Sequence, residues 1–169
     1  MHITVTPAPL EEKFILENLL QLYQYDFTEY DGADANAQGL FPYDYLPAYW
    51  VDPNRRPFLI RANDKLAGFV LVRLGIESLI APPRLVNQIA EFFVMKKYRR
   101  HGVGEFAARW VFDQFPGDWE VAQMASNLPA QMFWRKIIGR YTHGNFREVF
   151  FQTEDQHGPV QTFRNGLIS

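Results

Sequence analysis

The 169-residue chain contains no cysteine. Disulfide staples, thiolate nucleophiles and Cys-ligated zinc are therefore excluded. It has no apolar run near the roughly 20 residues needed to span a bilayer, and Met1 to Pro7 lacks the basic-then-apolar layout of a signal peptide. Positive charge is missing from one long stretch: between Lys13 and Arg55 there is no Lys, Arg or His. The net charge of −2 gives no bulk attraction to nucleic acid or anionic membranes. Two phosphate-binding patterns are also missing. There is no Gly-x-x-x-x-Gly-Lys-Ser/Thr, and Gly102-Val103-Gly104 lacks the third glycine of a dinucleotide fingerprint. The four histidines, His2, His101, His143 and His157, show no metal-ligand spacing, so no metal is expected. These absences leave a soluble, cytoplasmic globular protein as the expectation, with neither nucleic acid nor membrane as partner.

What is present is unevenly distributed. Glu17, Asp26, Glu29, Asp31, Asp34, Asp44 and Asp52 all fall in the stretch without cations, while Lys96, Lys97, Arg99 and Arg100 crowd into five positions. Aromatics are abundant at 16%. No repeat, low-complexity tract or linker divides the chain, so one domain over residues 1–169 is expected. Ile3 to Thr6 alternates as a short strand stopped by prolines. Leu16, Leu19, Leu20 and Tyr23 share one helical face within Leu10 to Tyr25. A second short helix is predicted over Tyr43 to Trp50. Residues 58–60 and 66–73 read as a hairpin turning at Asn63-Asp64, and Gln88 to Met95 as a further strand. A helix follows Gly102 and Gly104, then the strand Trp119 to Met124, a helix over Ala130 to Ile138, and closing strands near 146–151 and 160–163. The order β, α, α, β, β, β, α, β, α, β, β implies an α/β (α+β) fold, a mixed sheet flanked by helices.

Residues 89–104 are the most informative: a buried strand, a basic turn with two glycines, and the start of an amphipathic helix. Glycines let backbone N–H groups approach a ligand closely, and a helix N-terminus favours negative charge. A pyrophosphate suits such a turn; a tight strand-to-helix turn with a solvated basic rim would look the same from spacing alone.

Arg99-Arg100-His101-Gly102-Val103-Gly104 resembles the Arg/Gln-x-x-Gly-x-Gly/Ala signature of the GNAT acetyltransferase superfamily, with Val94 and Tyr98 also in register. Asn127-Leu128-Pro129-Ala130-Gln131-Met132-Phe133-Trp134-Arg135-Lys136 is similar to that family's Asn-x-x-Ala-x-x-Phe-Tyr-x-Lys element, one helix and one strand later. The resemblance implies a mostly antiparallel mixed sheet splayed between its fourth and fifth strands, and an N-acetyltransferase using acetyl-coenzyme A. It implies that backbone groups of Phe92 and Val94 pair with the pantetheine arm, the Phe92 N–H polarising the thioester carbonyl. It further implies that Arg99, Arg100, His101, Gly102, Val103 and Gly104 wrap the pyrophosphate, that Asn127 hydrogen-bonds the pantetheine, and that Phe133 packs beside it.

The sequence departs from the family at Trp134, where Tyr commonly protonates the departing thiolate; an indole N–H donates only and is not acidic. Tyr141, two helical turns on, is the candidate replacement. The general base is open among Glu91, acting directly or through water, and the weaker candidates Glu29 and Asp26. Alternation puts Glu91 on the opposite face from Phe92 and Val94. Acids interleaved with Tyr23, Tyr25, Phe27, Tyr30, Tyr43 and Tyr45 suit a cationic primary amine, on a small molecule or a peptide; they equally suit a solvated loop. A catalytically impaired acyl-coenzyme A-binding domain is the alternative, prompted by Trp134. So aromatic a surface is compatible with a homodimer, which no residue pattern establishes.

Overall fold

A computed structural model describes residues 1–154 and 156–166. Seven strands form one sheet: β1 (Ile3–Pro7), β2 (Arg55–Ala62), β3 (Lys65–Glu77), β4 (Leu85–Val94), β5 (Gly117–Ala122), β6 (Arg147–Gln152) and β7 (His157–Asn165). Their spatial order is β1-β2-β3-β4-β5-β7-β6. Helices α1 (Lys13–Asp31), α2 (Val103–Gln114) and α3 (Leu128–Tyr141) complete the frame. The expected alternation of elements is reproduced throughout. The second short helix is a 3-10 turn over Leu46–Trp50, shorter than expected.

The central strands read as continuous apolar runs because both faces of the sheet are covered. Phe58, Ile60, Val70 and Val72 face α2 and α3, with Val103, Ala107, Val111, Trp134 and Ile138. Leu59, Phe69, Leu71 and Phe93 face the other way, onto Leu16, Leu19, Leu20 and Tyr23 of α1. Asn63 and Asp64 take the positive φ angles of 48° and 62° that close the β2–β3 hairpin.

Helix α1 runs six residues past the expected end at Tyr25. Phe27 and Tyr30 carry the Tyr23 face onward as an aromatic stripe, and the backbone stays helical until Gly32, at φ 67°, returns its N–H to Thr28 O.

All neighbouring strands are antiparallel except β4 and β5, which are parallel and pair only at Asn87↔Trp119 and Gln88↔Glu120. Beyond Gln88 the two strands part, which is the expected splay. A bulge accompanies it: Leu71 lies opposite Glu91 and Val72 opposite Ile89, leaving Ala90 without a partner. Ile89 and Phe92 consequently share the α2/α3 face although three positions apart, while Ala90 and Phe93 pack on the α1 face.

Candidate active site

The splay exposes one edge of β4. Met95 N–H bonds Ala67 O of the incoming β3 chain, which sets the alternation along the strand. Glu91 and Phe93 turn their backbone groups toward β3, whereas Phe92 and Val94 turn theirs toward β5. No β5 residue pairs with either. Val94 O on this edge accepts a hydrogen bond from Arg99 Nε at 2.7 Å. The N–H groups of Phe92 and Val94 and the carbonyl of Phe92 are left open. Facing them, β5 turns at its end into the α3 cap, where Met124 O accepts from Asn127 N–H and from Gln131 Nε2 at 2.9 Å.

The turn after β4 leads to the α2 N-terminus. Arg100 (φ 64°) and Gly102 (φ 81°) are left-handed, and no side chain caps the helix. The first helical bond runs from Phe106 N–H to Gly102 O, so the N–H groups of Val103, Gly104 and Glu105 precede it as open donors. A Cβ at Gly104 would lie 3.0 Å from the Phe133 ring and 3.6 Å from Val94 Cγ2. Glycine at 104 thus lets Phe133 close over the start of α2 beside the free edge. The open donors and the free edge form one continuous run of backbone groups without partners among the described residues.

Several expected residues gather there with duties of their own. Arg99 supplies backbone to the turn, but its side chain points back to Val94 O and to Asp26 Oδ2, 2.6 Å away. His101 Nδ1 lies 2.7 Å from Arg99 O. Asn127 caps α3, its Oδ1 accepting from Ala130 N–H at 3.1 Å. Trp134 is buried in the core, edge-on to Phe92 at 4.9 Å and to Phe133 at 5.0 Å.

Tyr141 is not brought to this cleft. It ends α3, about 20 Å of helix from Asn127, with its hydroxyl on Asp113 Oδ1 (2.7 Å) and on Asn165 Nδ2 (3.2 Å). Partial burial and the contact with Asp113 push its phenol up to about 12. The helix persists past Gly139, but it sets Tyr141 against Asp113 near the C-terminal end of α2, while the neighbouring Arg140 reaches Glu105 in the first turn of α2.

On the other face of the sheet Glu91 projects toward α1, opposite to Phe92 and Val94 as alternation requires. Its Oε2 accepts from Tyr23 Oη at 2.5 Å and its Oε1 from Tyr43 Oη at 3.0 Å. Glu91 is half-buried, its carboxylate enclosed by the two phenols. Burial raises its pKa above the usual carboxylate value, and the two tyrosine hydrogen bonds oppose that rise. Tyr23 and Tyr43 are both pushed up, chiefly by burial and then by the Glu91 charge.

The end of α1 bridges the mouth of the splay. Asp26 is ion-paired with Arg99 and with Lys96 (3.3 Å) on the β4 side, and Tyr30 O accepts from Ser126 Oγ (3.2 Å) on the β5 side. Asp26 is therefore held by two cations, and Glu29 is exposed. The acidic segment 32–45 is clipped to α1 at Phe41, whose N–H and C=O bond Gln21, with Gln24 also on the carbonyl. A pocket of about 310 Å³ opens beside it, lined by Glu17, Gln21, Tyr43 and Asp44 among others. The aromatics of this region divide: Tyr23 and Tyr49 are core, with Leu46 between the helices, while Tyr25 and Tyr45 are exposed. Sequence reasoning missed the pairing of Tyr23 and Tyr43 with Glu91. The one available signal was a tyrosine on the otherwise leucine-rich buried stripe of α1.

No curated protein is significantly similar to the chain in sequence. Solved structures share the fold. An acetyltransferase from Thermus thermophilus superposes with a TM-score of 0.68 at 16% identity, covering 98% of both chains. Spermidine N-acetyltransferase from Vibrio cholerae, in complex with coenzyme A and spermine, gives 0.60 at 13% identity over 96% of this chain and 95% of that one. An aminoglycoside acetyltransferase in complex with coenzyme A gives 0.63 at 15% identity, with the same coverage. The acetyltransferase (GNAT) family profile matches residues 16–139, a span that includes the free edge, the turn before α2, Asn127 and Phe133. The chain belongs to the acetyltransferase (GNAT) family.

Proposed function

We propose that the chain moves an acetyl group from acetyl-coenzyme A directly to a primary amine carried by a cationic small molecule or peptide. The observation that carries this reading is the unpaired β4 edge, which opens on both faces of the sheet. On one face it continues into the donors of the α2 N-terminus; on the other it meets the Glu91 carboxylate.

The residues present fit the co-substrate. Phe92 and Val94 offer strand-like hydrogen bonds to an amide-bearing arm, Gly104 leaves room under Phe133, and the N–H groups of Val103, Gly104 and Glu105 await phosphate oxygens. Asn127, Arg100 and His101 line the approach. Bound there, acetyl-coenzyme A supplies an activated acyl thioester. The Phe92 N–H is the donor available to a carbonyl oxygen gaining negative charge. Glu91 accepts the proton of the incoming ammonium, directly or across one water, making the nitrogen nucleophilic. With Trp134 in the core and Tyr141 at the far end of α3, neither protonates the leaving group, and a thiolate can depart without them.

The acceptor side carries Glu91, Asp44 and Glu17 with Tyr43 among them; Glu17 is paired with Lys13 at 3.4 Å, while Lys96 and Arg99 are tied to Asp26. That balance favours a positively charged amine. Thiol release from acetyl-coenzyme A against a polyamine, an aminoglycoside and a lysine peptide tests the proposal. At least one should be acetylated, and Glu91→Gln should lower kcat by about 10²–10⁴-fold while coenzyme A still binds. Saturable cofactor binding with no amine acetylated would overturn it.

A further inference from the structure

Glu91 is held unlike any other carboxylate of the described residues, by two phenols and no cation. The nearest positive groups are engaged elsewhere. Arg99 and Lys96 bind Asp26, and Arg99 lies over the Phe93 ring on the strand that carries Glu91. Arg55 of β2 stacks on Tyr49 and pairs with Asp52. From α1 the carboxylate faces Tyr23, with Asp31 farther along the helix; from segment 32–45 it faces Tyr43; from the 46–50 turn, Tyr49.

From this arrangement we infer that Tyr23 and Tyr43 are positioning residues of the acyl transfer, fixing the Glu91 carboxylate in the floor of the site and keeping it ionised. The inference rests on the reading of Glu91 as the base.

The chemistry explains the choice of phenols. A carboxylate withdrawn from water takes up a proton unless something stabilises its charge. A guanidinium would do so, but it would weaken the base and repel an incoming ammonium. Two neutral hydroxyls stabilise the anion and leave its net charge available to the acceptor. They also occupy only two of about four lone-pair positions, so an amine N–H can still be accepted.

The two partners differ in firmness. The Tyr23 ring is buried and packed at 4.5 Å on Phe27, 5.5 Å on Phe69 and 5.8 Å on Phe93. Its hydroxyl is part of the core. Tyr43 comes from the irregular acidic segment, whose attachment to α1 passes through Gln21, Gln24 and the Phe41 backbone. The second hydrogen bond to the base therefore exists only while the acceptor-side segment is docked.

The test is a carbon-13 NMR titration of the full chain labelled at the glutamate carboxyls, with Glu91→Gln identifying the Glu91 signal. Its midpoint should lie above the ordinary carboxylate range in the unsubstituted protein. Tyr43→Phe should raise it by about one pH unit, the size of one lost hydrogen bond to a charged group. Tyr23→Phe should move it the same way, and Tyr45→Phe, an exposed neighbour on the same segment, should not. In turnover, the ratio of Tyr43→Phe to wild-type kcat/KM cancels the acceptor's own titration. That ratio should be flat at high pH and fall up to about tenfold as Glu91 protonates. An unmoved midpoint in both Phe variants, each folded by thermal melt, overturns the inference. Full turnover by Glu91→Gln would instead remove the base reading beneath it, whatever the midpoints show.

Discussion

The proposed co-substrate cradle makes its sharpest prediction at Gly104. Glutamate at this position places a carboxylate among the three open donors of α2, where the proposal puts phosphates. The free protein should tolerate it. An acid in the first helical turn is favourable by about 0.3–1 kcal/mol, and glycine is the weaker helix former by a similar amount. Those gains offset the shift forced on the Phe133 ring, which would otherwise stand 3.0 Å from the new Cβ. Ligand binding should not tolerate it. Two unit charges about 4 Å apart repel by on the order of 4 kcal/mol at the effective dielectric of a protein surface, a loss of roughly a thousandfold in affinity. At about 100 times its dissociation constant a ligand stabilises by roughly 2.7 kcal/mol, or about 5–11 °C in melting temperature for a chain of this size. At the same concentration the variant would gain less than about 0.1 kcal/mol, below detection. The assay is a thermal melt with acetyl-coenzyme A, free coenzyme A and ATP. A shift with both coenzyme A compounds in the wild type, absent from Gly104→Glu, is the expected result. A variant that keeps most of the shift would refute the cradle, and a wild type that shifts equally with ATP would reduce it to a generic phosphate site.

Three further substitutions probe the surroundings. The Glu91 pKa is raised by folding, so between the unfolded and folded values the native state holds the proton more tightly and stability falls as pH rises. Glu91→Gln should thus gain stability relative to the wild type as pH climbs from about 4 toward neutrality, seen in melts across that range; a difference that shrinks with pH would reverse the sign argued here. Tyr49 Oη is buried with no well-aligned hydrogen bond among the described residues, although Tyr43 and Arg55 lie beside it, so Tyr49→Phe should stabilise by up to about 1 kcal/mol in urea unfolding, and a loss of that size would make one of those neighbours a true partner. Trp134→Ala should cost about 3–5 kcal/mol as a core cavity, and near-neutral behaviour would contradict the packing on Phe92, Phe112 and Phe133.

Most of the frame was legible because its signals are local. The Asn63-Asp64 turn, the leucine stripe of α1 and the glycines before α2 each depend on residues a few positions apart. The family signature adds register, which is why Phe92, Val94 and Gly104 could be expected at one cleft. What escaped depends on contacts across the chain. Tyr23 and Tyr43 meet Glu91 over 68 and 48 positions. Arg99 reaches Asp26 over 73, which turns the side chain of a motif arginine away from the turn before α2. The bulge at Ala90 has no residue signature, since neither glycine nor proline marks it. Tyr141 was misjudged by direction: helical spacing correctly continues α3, but the cleft lies at the other end.

The same geometry bears on the proposal that one face binds and the other reacts. A closed sheet would bury the hydrogen-bonding groups of Phe92 and Val94 in a ladder and separate α2 from α1 by a continuous wall. Ending the parallel pairing at Gln88 leaves those groups without partners, which costs stability in the free protein, and it opens the only direct path between the two faces that the described pairing allows. On the proposed reading, a ligand strand laid along β4 would satisfy the free edge from the α2 side and present its end to Glu91 on the α1 side. The bulge at Ala90 matters to this arrangement: it lets Phe92 keep the α2 face while Glu91, its neighbour, keeps the other. Phe92 and Glu91, the proposed donor and base, are thus adjacent in sequence and opposed in space, which is the relation that the proposed direct transfer requires.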